Sequence, residues 1–495
     1  MNKINRIVLL MIVVIFSSKS NAHGGHHQIP PWQAPTTWPD RIVATVTNSP
    51  SDSFSVNWRT SKTVGVALAE IVPATADARF DLNAKTVKAT SELFDPAVLA
   101  TPEGQEDIVL NQGLDKVVYH SVTFSGLKPD TLYAYRVRGE VGKWSAWYQV
   151  KTAPSTGHVK AVFFGDAQTG IRSHVSRTIA AAAKVAPDAD LLIHGGDLVN
   201  TAEYDQEWAE WFDAGGRSYR MVPSLLVPGN HDYVNFSVRK GLGKREGGKL
   251  FVADKTVTPW WRAQFTLPIE KGLPLALHET VYAILYNDNL HIFAIDSSGI
   301  EFDKQMKWLA KELAMSKAKW RIVTMHHPLF SFVGGSEHPA AKERRLLLAN
   351  VLAEHDVDLV LTGHRHTYQR AEKGENLARF NVGQAHQVDT VFVVTASSTK
   401  RGDTKVEGWD RFSEQTKGEY ALTRYANKTP IFAVVEIDEK ELRFAAYDPV
   451  GNLYDAFSLN KKGKQKTIKN HAAASGPIRD GDALGPYKKW DDLRH

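Results

Sequence analysis

Val159-Lys160-Ala161-Val162-Phe163-Phe164-Gly165-Asp166 is a short β-prone run, apolar but for Lys160, that halts at glycine and then at a carboxylate. The same grammar recurs four more times. Residues 191–194 lead to Gly196-Asp197, residues 225–227 to Gly229-Asn230-His231-Asp232, residues 321–325 to His326-His327, and residues 358–361 to Gly363-His364-Arg365-His366. A buried parallel strand delivers a ligand to the open edge of a sheet in this way. One Asp or Asn after a strand is usually a turn residue. Five such exits, with an Asp-Asp-Asn-His-His-His inventory, describe a two-metal site of the kind that cleaves phosphate esters.

The chain around these runs has 495 residues, enough for more than one core, so two domains are expected. Residues 1–22 read as a secretory signal. Lys3 and Arg6 precede the apolar run 7–16, which is too short to cross a bilayer, and Ser20-Asn21-Ala22 suits a cleavage site. No later stretch approaches a transmembrane run, so the mature protein is expected to be soluble and exported, periplasmic or secreted. The signal holds Lys3, Arg6 and Lys19 and no acid, so its removal takes the formal charge from +5 to +2. That balance gives no support to a nucleic-acid footprint, which needs a strongly basic stripe. Cysteine is absent, which leaves nitrogen and oxygen as the only metal donors. The segment 23–38 begins His23-Gly24-Gly25-His26-His27, a weak transition-metal binder at most and more simply a solvated terminus.

Residues 39–153 show period-two alternation with turn residues between, as in Phe54, Val56 and Trp58 or Tyr133, Tyr135 and Val137. That is the pattern of an all-β sandwich. Residues 153–157 read as a linker. The domain spanning residues 158–459 follows strand–helix–strand grammar, with helices expected at 171–186, 303–315 and 340–355 and strands at 391–395, 431–437 and 441–447. An insertion between Tyr233 and Thr280 is long enough to be read as functional. Residues 460–495, with Lys461, Lys462, Lys464, Lys466 and Lys469, read as a polar, solvated tail.

In the first domain, Gly126-Leu127-Lys128-Pro129-Asp130-Thr131-Leu132-Tyr133 resembles the turn and tyrosine-bearing strand of fibronectin type III domains. In the second, Asp166, Gly196-Asp197, Gly229-Asn230-His231-Asp232, Val323-x-x-His326 and Gly363-His364-x-His366 resemble the calcineurin-like metallophosphoesterase signature. Gly363-His364-Arg365-His366-Thr367-Tyr368-Gln369-Arg370 and the aromatic segment from Trp260 to Pro268 resemble its purple acid phosphatase branch, which also carries an N-terminal sandwich. The resemblance runs from about Pro39 to Ser458. It implies an α/β metallophosphoesterase domain with two mixed β-sheets flanked by helices, preceded by the sandwich.

The resemblance also implies roles. Asp197 would bridge two metals, Asp166 and His366 would hold the first, and Asn230, His326 and His364 the second. A neutral Asn230 keeps the cluster net positive toward a phosphate dianion. His231 would face the phosphate as donor or acid, and Asp232 would either orient its imidazole or serve only the turn. His338 is expected as a second phosphate-facing group. Arg365 would contact phosphate, or else lie solvated or paired with a carboxylate. His327 would support or pack.

One departure concerns the colour-giving tyrosine of purple acid phosphatases, whose position here is Thr169. Gln168, next to it, would ligate through its amide oxygen or cap the following helix. Without a phenolate, Zn, Mn, Mg or Fe(II) are the expected occupants and the enzyme is expected to be colourless. The reaction expected is hydrolysis of small-molecule phosphomonoesters by attack of a metal-bound hydroxide. Phosphodiesterase action on nucleotides or glycerophosphodiesters is the alternative, and an inactive surface binding protein a further one.

Overall fold

The computed structural model describes residues 29–30, 32–99, 111, 113–234, 245–246, 249–250, 257–299, 301–329, 339–373, 383, 385–400 and 420–471. The first of its two large sheets orders the strands Ala385–Val388, Gln465–Asn470, Leu453–Lys462, Glu441–Tyr447, Phe432–Ile437, Val159–Phe164, Leu191–His194, Ser224–Leu226, Asp40–Thr45, Phe54–Ser61, Val117–Phe124 and Thr90–Phe94. The second orders Tyr282–Asn287, Leu290–Ile295, Trp320–Met325, Leu359–Thr362, Val391–Val394, Tyr368–Lys373 and Tyr420–Ala426. Both are mixed, each with a parallel centre flanked by antiparallel strands.

The central strands are apolar on both sides because both sides are covered. Alternate residues divide between two cores. Ile292, Ile322, Leu359 and Val391 of the second sheet join Ala161, Phe163, Ile193 and Leu225 of the first in a shared core between the sheets. Phe293, Val323, Val360 and Phe392 point the other way, against Met306 and Leu309 of helix Phe302–Met315 and Leu348 and Leu352 of helix Pro339–Glu354. Helices Ser176–Val185 and Asp205–Met221 accompany the first sheet. The second of these helices has no counterpart among the helices expected from sequence.

The described residues between 39 and 153 include the strands of a β-sandwich. One layer is the far arm of the twelve-stranded sheet, and the other is the four-stranded sheet Lys85–Lys88, Leu68–Pro73, Leu132–Arg138 and Tyr148–Lys151. Val56, Trp58, Val122 and Phe124 pack against Ile71, Tyr135, Val137 and Val150 between them. Three kinds of contact among those that join the sandwich to the rest are a strand pairing, an ion pair and an aromatic stack. Thr45 pairs in parallel with Ser224, extending one sheet through both domains. Arg41 grips Asp205 with two hydrogen bonds, at 2.8 and 2.7 Å, both side chains being buried. Phe94 stacks on Trp260 of helix Pro259–Gln264 with ring centres 4.0 Å apart. The described end of the insertion therefore packs against the sandwich.

The expected solvated tail is corrected over its first eleven residues. Residues 460–462 finish strand Leu453–Lys462, and Gln465–Asn470 pairs beside it. The lysines alternate: Lys462 and Lys464 are exposed, while Lys461 and Lys466 turn inward onto Asp356 and Asp358. Two buried ammoniums need buried carboxylates, and the strand is placed where they meet. Among the described residues no helix is long and apolar enough to cross a membrane. The expected signal at 1–22, His23, His26 and His27, and residues 472–495 lie outside the described residues.

Candidate metal centre

The five strand exits converge at the carboxyl ends of the parallel strands, three from the first sheet and two from the second. Glycines make the close approach possible. A Cβ on Gly363 would stand 2.2 Å from Asp166 Oδ1, and one on Gly229 2.1 Å from Asp197 Oδ1. Three residues at these exits adopt left-handed backbone without being glycine: Asp197 at φ 51°, His364 at 73° and His366 at 53°. Such conformations are costly and cluster at functional sites, where the surroundings enforce them.

Asp166 and Asp197 are fully buried. Asp166 Oδ1 accepts the His364 N–H at 2.6 Å, and its Oδ2 lies 3.0 Å from His366 Nε2. Asp197 Oδ1 accepts the His231 N–H at 2.8 Å, and its Oδ2 lies 3.3 Å from His326 Nε2. His326 Nδ1 is 2.9 Å from the Gly195 carbonyl, to which it donates, so Nε2 turns a lone pair inward. Facing that lone pair are Asn230 Oδ1 at 3.2 Å and His364 Nδ1 at 3.2 Å. Donor atoms brought this close to one another call for a positive charge between them, a proton or a metal cation. Asp197, His326 and His364 form one group of donors, and Asp166, Asp197 and His366 another, with atoms in each group within 4.8 Å. Asp197 belongs to both. Two carboxylates, three imidazoles and an amide, without sulfur, suit divalent metals of the Zn, Mn, Fe or Mg kind.

The electrostatics agree. Burial alone would lower the pKa of His326, yet the Asp197 carboxylate raises it to about 9, so the pocket draws a positive charge even from protons. His364, surrounded by His327, His326 and Arg365, is held well below the usual imidazole range by burial first and those neighbours second. It is therefore the neutral imidazole that a metal needs.

His231 sits half-buried on the turn Asn230–Asp232, its Nδ1 donating to the Asn200 carbonyl at 2.6 Å. Of the two uses open to Asp232, the contacts favour the one in the turn. Its carboxylate accepts from Leu198 N at 3.0 Å and Gly229 N at 2.8 Å, clamping two loops together, and a backbone carbonyl orients the histidine instead. Neighbouring side chains on a 3₁₀ turn diverge by about a third of a circle, so position 232 faces away from the ring at 231. Gln168 is buried, and its amide oxygen accepts from Lys400 Nζ at 3.3 Å. His327 packs on His364, ring centres 4.2 Å apart, and contacts Ser297 Oγ at 3.0 Å. Arg365 is half-buried beside His364. His338 lies outside the described residues.

Sequence reasoning missed Lys400, which follows strand Val391–Val394, and Asn200, whose contribution is a backbone atom. Thr399 is bound to Thr169 by its N–H at 3.4 Å and by its hydroxyl, which holds Lys400 beside Gln168.

Two family models match the sequence that builds this site and its neighbour. Residues 159–368 match the calcineurin-like phosphoesterase family, and residues 39–152 match the purple acid phosphatase N-terminal domain. The chain joins a calcineurin-like phosphoesterase domain to a purple acid phosphatase N-terminal domain. The Fe(3+)-Zn(2+) purple acid phosphatase 12 of Arabidopsis thaliana is 25% identical over 267 residues, 52% of this chain and 53% of that protein. Among solved structures, the purple acid phosphatase from yellow lupin seeds aligns with a TM-score of 0.65 at 18% identity, covering 86% of this chain and 75% of that one. PhoD aligns with a TM-score of 0.59 at 14% identity, covering 90% and 93%. These two share the fold. The chain spans about half the length of the first curated relatives it matches.

Proposed function

We propose that this protein is an exported phosphoesterase that hydrolyses small-molecule phosphomonoesters at a dinuclear metal centre. The observation that carries this reading is the convergence of six donors from five loops into two groups that share Asp197. Asp197 would bridge, Asp166 and His366 would complete one position, and Asn230, His326 and His364 the other. Two cations held there supply Lewis acidity toward phosphate oxygens and toward water. The chain's own residues do the remainder. Asn230 contributes an oxygen without a charge, so the centre stays positive toward an anionic substrate. Asp232 holds the loops after residues 197 and 229 at fixed separation. His231, anchored through Nδ1, presents Nε2 to a phosphate oxygen or carries a proton to the departing alkoxide. Arg365 is proposed as a further phosphate contact.

Turnover of nitrophenyl phosphate against its bis ester, together with elemental analysis of the purified protein, tests the reading. Asp197→Ala is expected to lose both turnover and about two metal equivalents. Full turnover in that variant would overturn the proposal. With Thr169 in place of a phenolate donor, the active protein is expected to lack an intense visible charge-transfer band.

A further inference from the structure

Strand Val391–Val394 is the sixth to end at the centre, and its exit, Ala396-Ser397-Ser398-Thr399-Lys400, brings no acid or imidazole. Its placement is nevertheless specific. Ser397 N donates to the Asp166 carbonyl at 3.0 Å, and Ala396 pairs in parallel with Asp166. Thr399 is tied to Thr169 by three contacts between 3.2 and 3.4 Å. These bonds deliver the half-buried Lys400 to a point where Nζ lies 3.3 Å from Gln168 Oε1 and 3.5 Å from His231 Nε2.

Neither of those partners is a carboxylate, and no described carboxylate forms an ion pair with Lys400. An ammonium placed next to a centre built to hold two cations is repelled by it, so the arrangement is favourable only when an anion lies between them. Lysine is a point-charge donor suited to a phosphoryl oxygen, and its ammonium and His231 Nε2 address the same space. We propose that Lys400 is a substrate-binding residue that pairs with a non-bridging oxygen of the phosphoryl group, and that this added charge makes the centre prefer dianionic monoesters to monoanionic diesters. Gln168 orients it. The inference rests on the phosphoesterase reading and deepens it by assigning the substrate charge that the site selects.

The test uses the metal-loaded full chain and the variants Lys400→Met, Lys400→Arg and Gln168→Ala. Loss of a charge-assisted hydrogen bond is expected to lower kcat/KM on nitrophenyl phosphate about 10- to 100-fold in Lys400→Met. On the bis ester, which has one charge fewer, the loss is expected to stay under about threefold, and Lys400→Arg is expected to recover part of the monoester activity. Inorganic phosphate binding, read by calorimetry, is expected to weaken by a factor similar to the monoester loss, with metal content and Tm unchanged. Equal losses on the two esters, unaltered phosphate affinity, or loss of metal in Lys400→Met would each overturn the assignment. A Gln168→Ala variant with the monoester activity and phosphate affinity of the wild type would overturn the orienting part given to Gln168, and a partial loss of both supports it. If the wild type turns over neither ester yet Lys400→Met still weakens phosphate binding, the hydrolase reading fails and the anion-binding role of Lys400 stands.

Discussion

Gly363→Ala is a one-carbon change that bears directly on the construction of the centre. The new Cβ would lie 2.2 Å from Asp166 Oδ1, where contacts closer than 3.0 Å are essentially never seen, so the carboxylate must retreat by at least about 0.8 Å. The same oxygen accepts the His364 N–H at 2.6 Å, and Oδ2 faces His366 at 3.0 Å, so the retreat disturbs both histidine positions together. Gly363 N donates to the His326 carbonyl at 3.0 Å, which opposes relief by backbone movement. Overpacking of this kind costs about 1–3 kcal/mol of stability. A displacement near 1 Å at a reacting centre costs about 100-fold in rate. The assay is kcat/KM on nitrophenyl phosphate with metal content and a urea melt on the same preparation. Gly65→Ala, where a Cβ meets nothing within 4 Å, is the control and is expected to be close to wild type. A Gly363→Ala enzyme with full metal and undiminished kcat/KM would refute the idea that the strand exits are glycine because the carboxylates need that space.

Three further outcomes follow from geometry. Burial first, set against hydrogen bonds from Thr201 N and Asn200 N at 2.7 Å each, pushes the Glu207 carboxyl up to about 7 from 4.5. The folded state then holds a proton that the unfolded state releases, so wild-type stability is expected to fall between pH 4.5 and 7. Glu207→Gln is expected to lack that fall, a difference on the order of 2 kcal/mol in urea melts across the window, and parallel profiles would dismiss it. Asp205→Ala strands Arg41 and Arg59 in the domain interface without a shared counter-charge and is expected to cost about 3–5 kcal/mol in urea unfolding, against near-neutral behaviour if the pair is idle. Ending the chain at Asn460 removes strand Gln465–Asn470 and both lysines from Asp356 and Asp358, so it is expected to lower Tm by several degrees or prevent folding, whereas a solvated tail would leave Tm where it was.

What could be read in advance follows from how each contribution is encoded. The two carboxylates, Asn230, His326, His364 and His366 each end a buried apolar strand, and side-chain type plus strand pattern is information that the letters carry. Asn200 acts through its carbonyl, which every residue possesses, so no letter at position 200 marks it. Asp232 was open to two uses because sequence adjacency to His231 says nothing about direction on a tight turn. Gln168 and Lys400 stand 232 positions apart, and a lysine after Ser-Ser-Thr has the composition of any surface loop. Lys461 and Lys466 looked solvated for the same reason: their partners at 356 and 358 lie a hundred residues upstream, and five lysines in a row of polar residues suggest water until a facing acid is known.

The parallel step from Thr45 to Ser224 lets the N-terminal sandwich support the metal centre although none of its described residues is among the donors. Ser224–Leu226 is the strand that leads to Asn230 and His231, and without its neighbour it would be the raw border of the sheet, with unsatisfied amides and freedom to fray. Thr45 Oγ1 on the Thr266 carbonyl at 2.6 Å, and Tyr135 on the Arg220 carbonyl at 2.6 Å, brace the same seam from either side. The sandwich is thus a buttress whose loss would loosen the second metal position, so the two domains would melt as one unit rather than in sequence.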